Sequence, residues 1–127
     1  MREIKFRAYL KQEKEMREVF SFCDKFIKVI VGMGTAWKLP TSDFEPIMQF
    51  TGLKDKNGID IYEGDILKYI NPYSRNDYVN IIKWDSLFAG FALFDKIESI
   101  WAKESDFLKI IETIEIIGNI HENPELL

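Results

Sequence analysis

The chain has 127 residues, suited to one domain, and its 46% apolar and 30% charged content excludes an intrinsically disordered polymer. A net charge of -4 lacks the basic excess with which nucleic-acid binders neutralise phosphate, and it is too small for a DNA mimic. The lone Cys23 offers no internal disulfide, the N-terminus has no signal-peptide apolar core, and no apolar run nears the roughly 20 residues of a membrane span. The expected compartment is the cytoplasm, with no membrane partner.

Residues 4–10 alternate, with Ile4, Phe6 and Ala8 on one face and Lys5, Arg7 and Tyr9 on the other, as in a half-buried strand. Residues 11–20 fit two readings. Lys11 and Glu15 at i,i+4 suit an exposed helix, but the apolar positions are too few to dock one, and a polar hairpin fits equally. The β-branched run 26–31 predicts a strand ending at Gly32 and Gly34. From 35 to 46, two prolines and the Thr41-Ser42-Asp43 cluster predict an irregular connection.

The strongest local signal lies between 49 and 62, where Asn57-Gly58 predicts a two-residue type I′ hairpin turn. Glu63-Gly64-Asp65 predicts a tight corner, Asn71-Pro72 a turn, and residues 78–84 with 88–94 a second hairpin. Phe107, Ile110, Ile111 and Ile114 fall at helical spacing, with Ser105 or Asp106 as N-cap. Residues 114–120 return to strand character, and Asn123-Pro124 starts a last turn with proline at N1. These elements predict a mostly-β single domain over 1–127, with seven or eight short strands and one short helix.

Asp55, Asp60, Glu63 and Asp65 are the densest carboxylates, yet their spacing does not fit a calcium loop, and turn chemistry explains them better. His121 and Cys23 lack the partners that catalysis or metal binding requires, so each reads as structural. The expectation is therefore no metal, no cofactor and no catalytic residue. Ten Phe, five Tyr and three Trp are numerous for this length. Of these, Tyr9, Trp37, Tyr62, Tyr69, Tyr73, Tyr78, Trp84 and Trp101 include residues that alternation turns outward, near Lys5, Arg7, Lys68, Arg75 and Lys83. Such rings stack bases on small barrels, but in β proteins most serve the core and cross-strand packing.

Three segments resemble the YopX family of phage- and prophage-encoded proteins. They are Arg-Glu-Ile-Lys-Phe-Arg-Ala-Tyr at 2–9, Met-Gln-Phe-Thr-Gly-Leu-Lys-Asp-Lys-Asn-Gly-Ile-Asp-Ile-Tyr-Glu-Gly-Asp-Ile-Leu at 48–67, and Ile-Ile-Gly-Asn-Ile-His-Glu-Asn-Pro-Glu-Leu-Leu at 116–127. The middle segment is the most specific. Tyr9 stands where the family usually has tryptophan, and about 21–46 forms a bulkier, variable insert. The resemblance implies short strands built around a small Src-homology-3-like barrel, a phage or prophage origin and a bacterial cytoplasm. It carries over no catalytic residue.

No glycine-rich phosphate loop, paired-cysteine motif, His–Glu helix motif or Gly-x-Ser-x-Gly elbow is present, which favours a non-enzymatic accessory protein binding a protein partner. The alternative is a nucleic-acid-binding small β-barrel. A further expectation concerns Ile114, Ile116, Ile117 and Ile120, which make both faces of one strand partly apolar. Either a second copy covers them, as a homo-oligomer, or residues 107–111 do so within the chain.

Overall fold

The computed structural model describes residues 3–86, 89–94, 99–101 and 109–127, and among these eleven strands form two antiparallel sheets. The mostly-β class is as the sequence predicts. Both sheets have open ends, so the described residues contain no closed barrel. No helix among them is long and apolar enough to cross a membrane. The chain divides into two compact units, Met1–Phe50 and Thr51–Leu127.

The first unit contains β1 (Phe6–Leu10), β2 (Glu15–Phe22), β3 (Phe26–Gly32), β4 (Thr35–Pro40), a 3-10 turn at Thr41–Asp43, and the start of β5 (Met48–Lys54). β1 lies between β2 and the Met48-Gln49 end of β5, while β3 and β4 extend the sheet beyond β2. Ala8, Leu10, Ile27, Val29 and Phe44 make its core, with Val19, Leu39 and Ile47 packed against them. Burying each large aliphatic side chain contributes about 1.5–3 kcal/mol.

Residues 11–20 take the hairpin alternative: Leu10 faces Glu15, and Lys14 turns the chain at φ +55°. An exposed i,i+4 ion pair offers a helix only about 0.3–0.5 kcal/mol, less than docking Val19 on the core strands. The irregular stretch expected at 35–46 is corrected in its first half. Thr35 to Pro40 form β4, paired with β3 from Gly32 back to Phe26. Pro40 is tolerated because β4 is an edge strand and proline is its last residue.

The second unit holds the rest of β5, β6 (Asp60–Tyr62), β7 (Asp65–Ile70), β8 (Asp77–Asp85), β9 (Gly90–Phe94), β10 (Ser99–Trp101), β11 (Glu115–Asn119) and a 3-10 turn at Pro124–Leu126. Five of its strands run in the order β10-β9-β8-β7-β11. Ile61, Leu67, Tyr69, Ile82, Leu93, Ile110 and Ile114 form a core cluster. The predicted hairpin of 78–84 and 88–94 is β8 with β9, although Phe88 lies outside the described residues. Of the predicted helix, Ser105, Asp106 and Phe107 also lie outside them. What is described is its end, helical at 109–110 and running into a turn in which the Ile114 N–H donates to the Ile110 carbonyl at 3.1 Å, with both side chains in the core.

The hairpin between β5 and β6 differs from the predicted two-residue turn. Asn57 does not have positive φ, while Gly58 has φ +79°. The Gly58 N–H donates to the Asp55 carbonyl at 3.0 Å, and the Asp55 N–H donates to the Ile59 carbonyl at 2.8 Å. This is a three-residue loop: a type I turn over Lys56-Asn57 followed by a left-handed glycine.

Candidate functional site

Of the carboxylates singled out in the sequence, Asp55 and Asp65 are occupied with backbone N–H groups. Asp55 is buried, and its carboxylate accepts the N–H groups of Asn57 at 2.8 Å, Ile59 at 3.0 Å and Ile116 at 3.2 Å. Burial acts to raise its pKa, but these three donors and the nearby Lys56 ammonium outweigh it and hold the carboxyl below its ordinary value. Asp65, only 1% exposed, accepts the Tyr62 N–H at 2.8 Å and fixes the corner around Gly64, whose φ is +83°. Asp60 pairs with Lys54 at 3.5 Å, and Glu63 is half-buried. The described residues contain no group of three or more His, Cys, Asp or Glu arranged to hold a metal ion.

The C-terminal segment with His121 folds on itself. The Asn119 side-chain oxygen accepts the N–H groups of His121 at 3.0 Å and Glu122 at 2.9 Å. Asn123 returns the contact, its Oδ1 accepting the Asn119 N–H at 3.3 Å. This return packs Asn123 over Gly118, where an added Cβ would sit 2.5 Å from Asn123 Oδ1. The family-like Gly-Asn-Ile-His-Glu-Asn-Pro stretch is thus a self-bonded turn, with His121 half-buried in it. Cys23 is exposed. A recess of about 240 Å³ in the first unit is lined by Leu10, Lys11, Gln12, Glu13, Leu39, Ser42 and Asp43, with the Lys11 ammonium donating to the Ser42 carbonyl at 3.3 Å.

The candidate aromatics separate into two groups, apart from Trp101, whose side chain lies outside those described. Tyr9 and Tyr69 are buried, and the Tyr69 hydroxyl donates to the Asn80 side-chain oxygen at 2.5 Å; Tyr62 is half-buried. Trp37, Tyr73, Tyr78 and Trp84 are exposed. Of the basic residues singled out with them, Lys5 sits 4.6 Å from the centre of the Phe50 ring, Arg7 donates to Met48 Sδ at 3.8 Å, Lys68 pairs with Asp77 at 3.6 Å and Lys83 lies 5.9 Å from the Phe94 ring centre, while Arg75 turns the chain at φ +60°. Lys109 donates to the exposed Tyr73 hydroxyl at 2.8 Å.

Among the described residues, exposed apolar side chains concentrate on β2–β4 and the turn joining β3 to β4. Phe20, Phe22, Phe26, Ile30, Met33 and Trp37 all stand out from the first unit, with Phe20 68% and Met33 104% exposed. The cause is local. The register slips between Val19 and Ser21, so that Phe20 is an extra residue opposite β3. β3 is apolar on both faces: Ile27 and Val29 point to the core, while Phe26 and Ile30 alternate with Lys28 on the other side. On that outer face Ser21, Lys28 and Lys38 form one cross-strand row, flanked by the pairs Phe26–Pro40 and Ile30–Ala36. Of these side chains, Trp37 alone is expected to face outward from the sequence. The signal for the rest was the unbroken apolar run at 29–31 beside Phe26, longer than a one-sided strand requires.

The architecture defines a small all-β protein with a structural, self-bonded centre and C-terminus and an exposed apolar sheet. The chain belongs to the YopX protein family, whose model matches residues 5–127. It is also similar to the crystal structure of protein EF1440 from Enterococcus faecalis, at 34% identity and a TM-score of 0.67, covering 100% of this chain and 99% of that one. No curated protein matches the chain.

Proposed function

We propose that this protein is a non-enzymatic binding module that docks a protein partner on β2–β4, as a phage or prophage accessory protein in the bacterial cytoplasm. The observation that carries the reading is the exposure of Phe20, Phe22, Phe26, Ile30, Met33 and Trp37 at this end of the sheet, with Phe26 and Ile30 on its outer face and Phe22 and Trp37, opposite Ile27 and Val29, on the other. Large apolar side chains concentrated on a small protein's surface favour a site that becomes buried on association. Aromatic anchors such as Trp37 supply most of the energy at such sites.

The test is affinity capture from host cells with the wild-type chain and with the Phe20→Ser/Trp37→Ser variant, each with and without nuclease. A protein retained by the wild type, lost with the variant and indifferent to nuclease supports the reading. Retention that depends on nucleic acid replaces it with the nucleic-acid-binding one.

A further inference from the structure

Strand β4 ends its sheet, and no described strand pairs with its outer edge. Five of its six residues are exposed, and Leu39 is half-buried. The unpaired N–H and C=O groups of such an edge template another strand, and Lys38 and Pro40 guard it against indiscriminate pairing.

On the outer face beside this edge, the charges of β3 and β4 are both basic. Lys28 and Lys38 are directly opposite each other, an arrangement that places side-chain origins roughly 5 Å apart and is destabilising for like charges. Neither has an ion-pair partner among the described residues; Lys38 instead lies 4.4 Å from the centre of the Phe26 ring. Lys25 adds a third positive charge, and Asp24 is the single acid between 20 and 40, in a chain whose net charge is -4. The local excess of positive charge therefore runs against the whole molecule.

We propose that β4 accepts an extended acidic segment of a protein partner as an added strand. In this arrangement a carboxylate of the incoming segment faces Lys38 on the outer face, and apolar residues on either side of it face Trp37 and Leu39 on the other. The proposal rests on the protein-binding reading above and specifies its partner. Backbone pairing supplies adhesion, and alternate side chains supply selectivity. A carboxylate beside Lys38 also relieves the Lys28–Lys38 repulsion, so binding removes an unfavourable term already present in the free protein. A second copy of this chain is the poorer occupant, since its own Lys28 and Lys38 would join the same face.

The experiment uses the full chain and a fluorescein-labelled nonapeptide alternating valine and glutamate, followed by fluorescence anisotropy. A lysine-for-glutamate version and a twelve-residue oligothymidylate serve as competitors. Expected is saturable binding of the acidic peptide, inhibited by neither competitor and weakened at least about tenfold by Lys28→Glu/Lys38→Glu, with unchanged circular dichroism. Methylating every second peptide nitrogen should abolish binding in one phase and spare it in the other, because only one set of N–H groups faces β4. Equal loss in both phases, equal affinity for the basic peptide, or displacement by the oligonucleotide overturns the proposal. If the peptide fails while a captured protein still depends on Trp37, strand addition falls and protein binding stands.

Discussion

The Asp55 carboxylate accepts the backbone N–H of Ile116 at 3.2 Å, across 61 positions of sequence. With the Lys56 N–H donating to the Ile114 carbonyl at 2.8 Å, it fastens the β5–β6 loop to the start of β11. The same carboxylate closes the loop through Asn57 and Ile59. Asp55→Asn keeps the shape but supplies an amide N–H₂ where an acceptor is needed, and should cost about 1–3 kcal/mol at neutral pH, read from chemical denaturation.

The pH dependence has a definite sign. The folded carboxyl has a lowered pKa, so its contribution is fully present above the unfolded value of about 3.9 and disappears as pH falls through the folded one. The stability gap between wild type and Asp55→Asn should therefore narrow on acidification below about pH 4. A gap that stays constant to pH 2 would remove the charge from this account.

Gly58 sits at φ +79° with open space around its Cα, so only backbone strain opposes a side chain there. Gly58→Val should lower stability by about 1 kcal/mol or more, and Gly58→Asn by less, since Asn tolerates the left-handed region. Equal thermal melts for the two variants would contradict the loop assignment.

Chelation should do nothing. Asp55 and Asp65 direct their oxygens at backbone N–H groups, and Asp60 is paired with Lys54. A divalent ion there would have to displace bonds that hold the turns together. Addition of EDTA is expected to leave the melting temperature unchanged, and a downward shift would reveal a bound cation.

Local turn chemistry was legible because it is written in adjacent residues. The bend at Asn71-Pro72 and the proline opening the last turn need no distant partner, and the corner at Gly64 is set by Asp65 and Tyr62 before Ile82 and Ile120 tie it down. The loop at Lys56-Asn57-Gly58 was located correctly but mistyped, since the choice between two and three residues depends on Asp55 accepting its neighbours' N–H groups. β4 was missed because two prolines and a polar cluster hid an edge strand, whose pairing is visible only from β3. The lysine row likewise required a register, because Lys28 and Lys38 are ten positions apart and meet only across the hairpin.

The last prediction concerns the C-terminal isoleucines. Ile114 is buried, and Ile116 packs against the cluster containing Ile110 and Ile114, so part of the strand's apolar surface is covered within the second unit. β11 nevertheless ends its sheet, and Asp55 and Lys56 occupy backbone groups at Ile114 and Ile116. The loop thus acts as a plug on an edge that would otherwise invite pairing. Light scattering should show the wild type holding a mass of 15.0 kDa as concentration rises through the micromolar range. Asp55→Ala should loosen the plug and give a mass that grows with concentration. Ile117→Lys, placed in the Asp55→Ala background, should restore the monomer by setting a charge beside the opened edge. A wild-type dimer that Ile117→Lys dissociates would instead make the C-terminal strand a contact between copies.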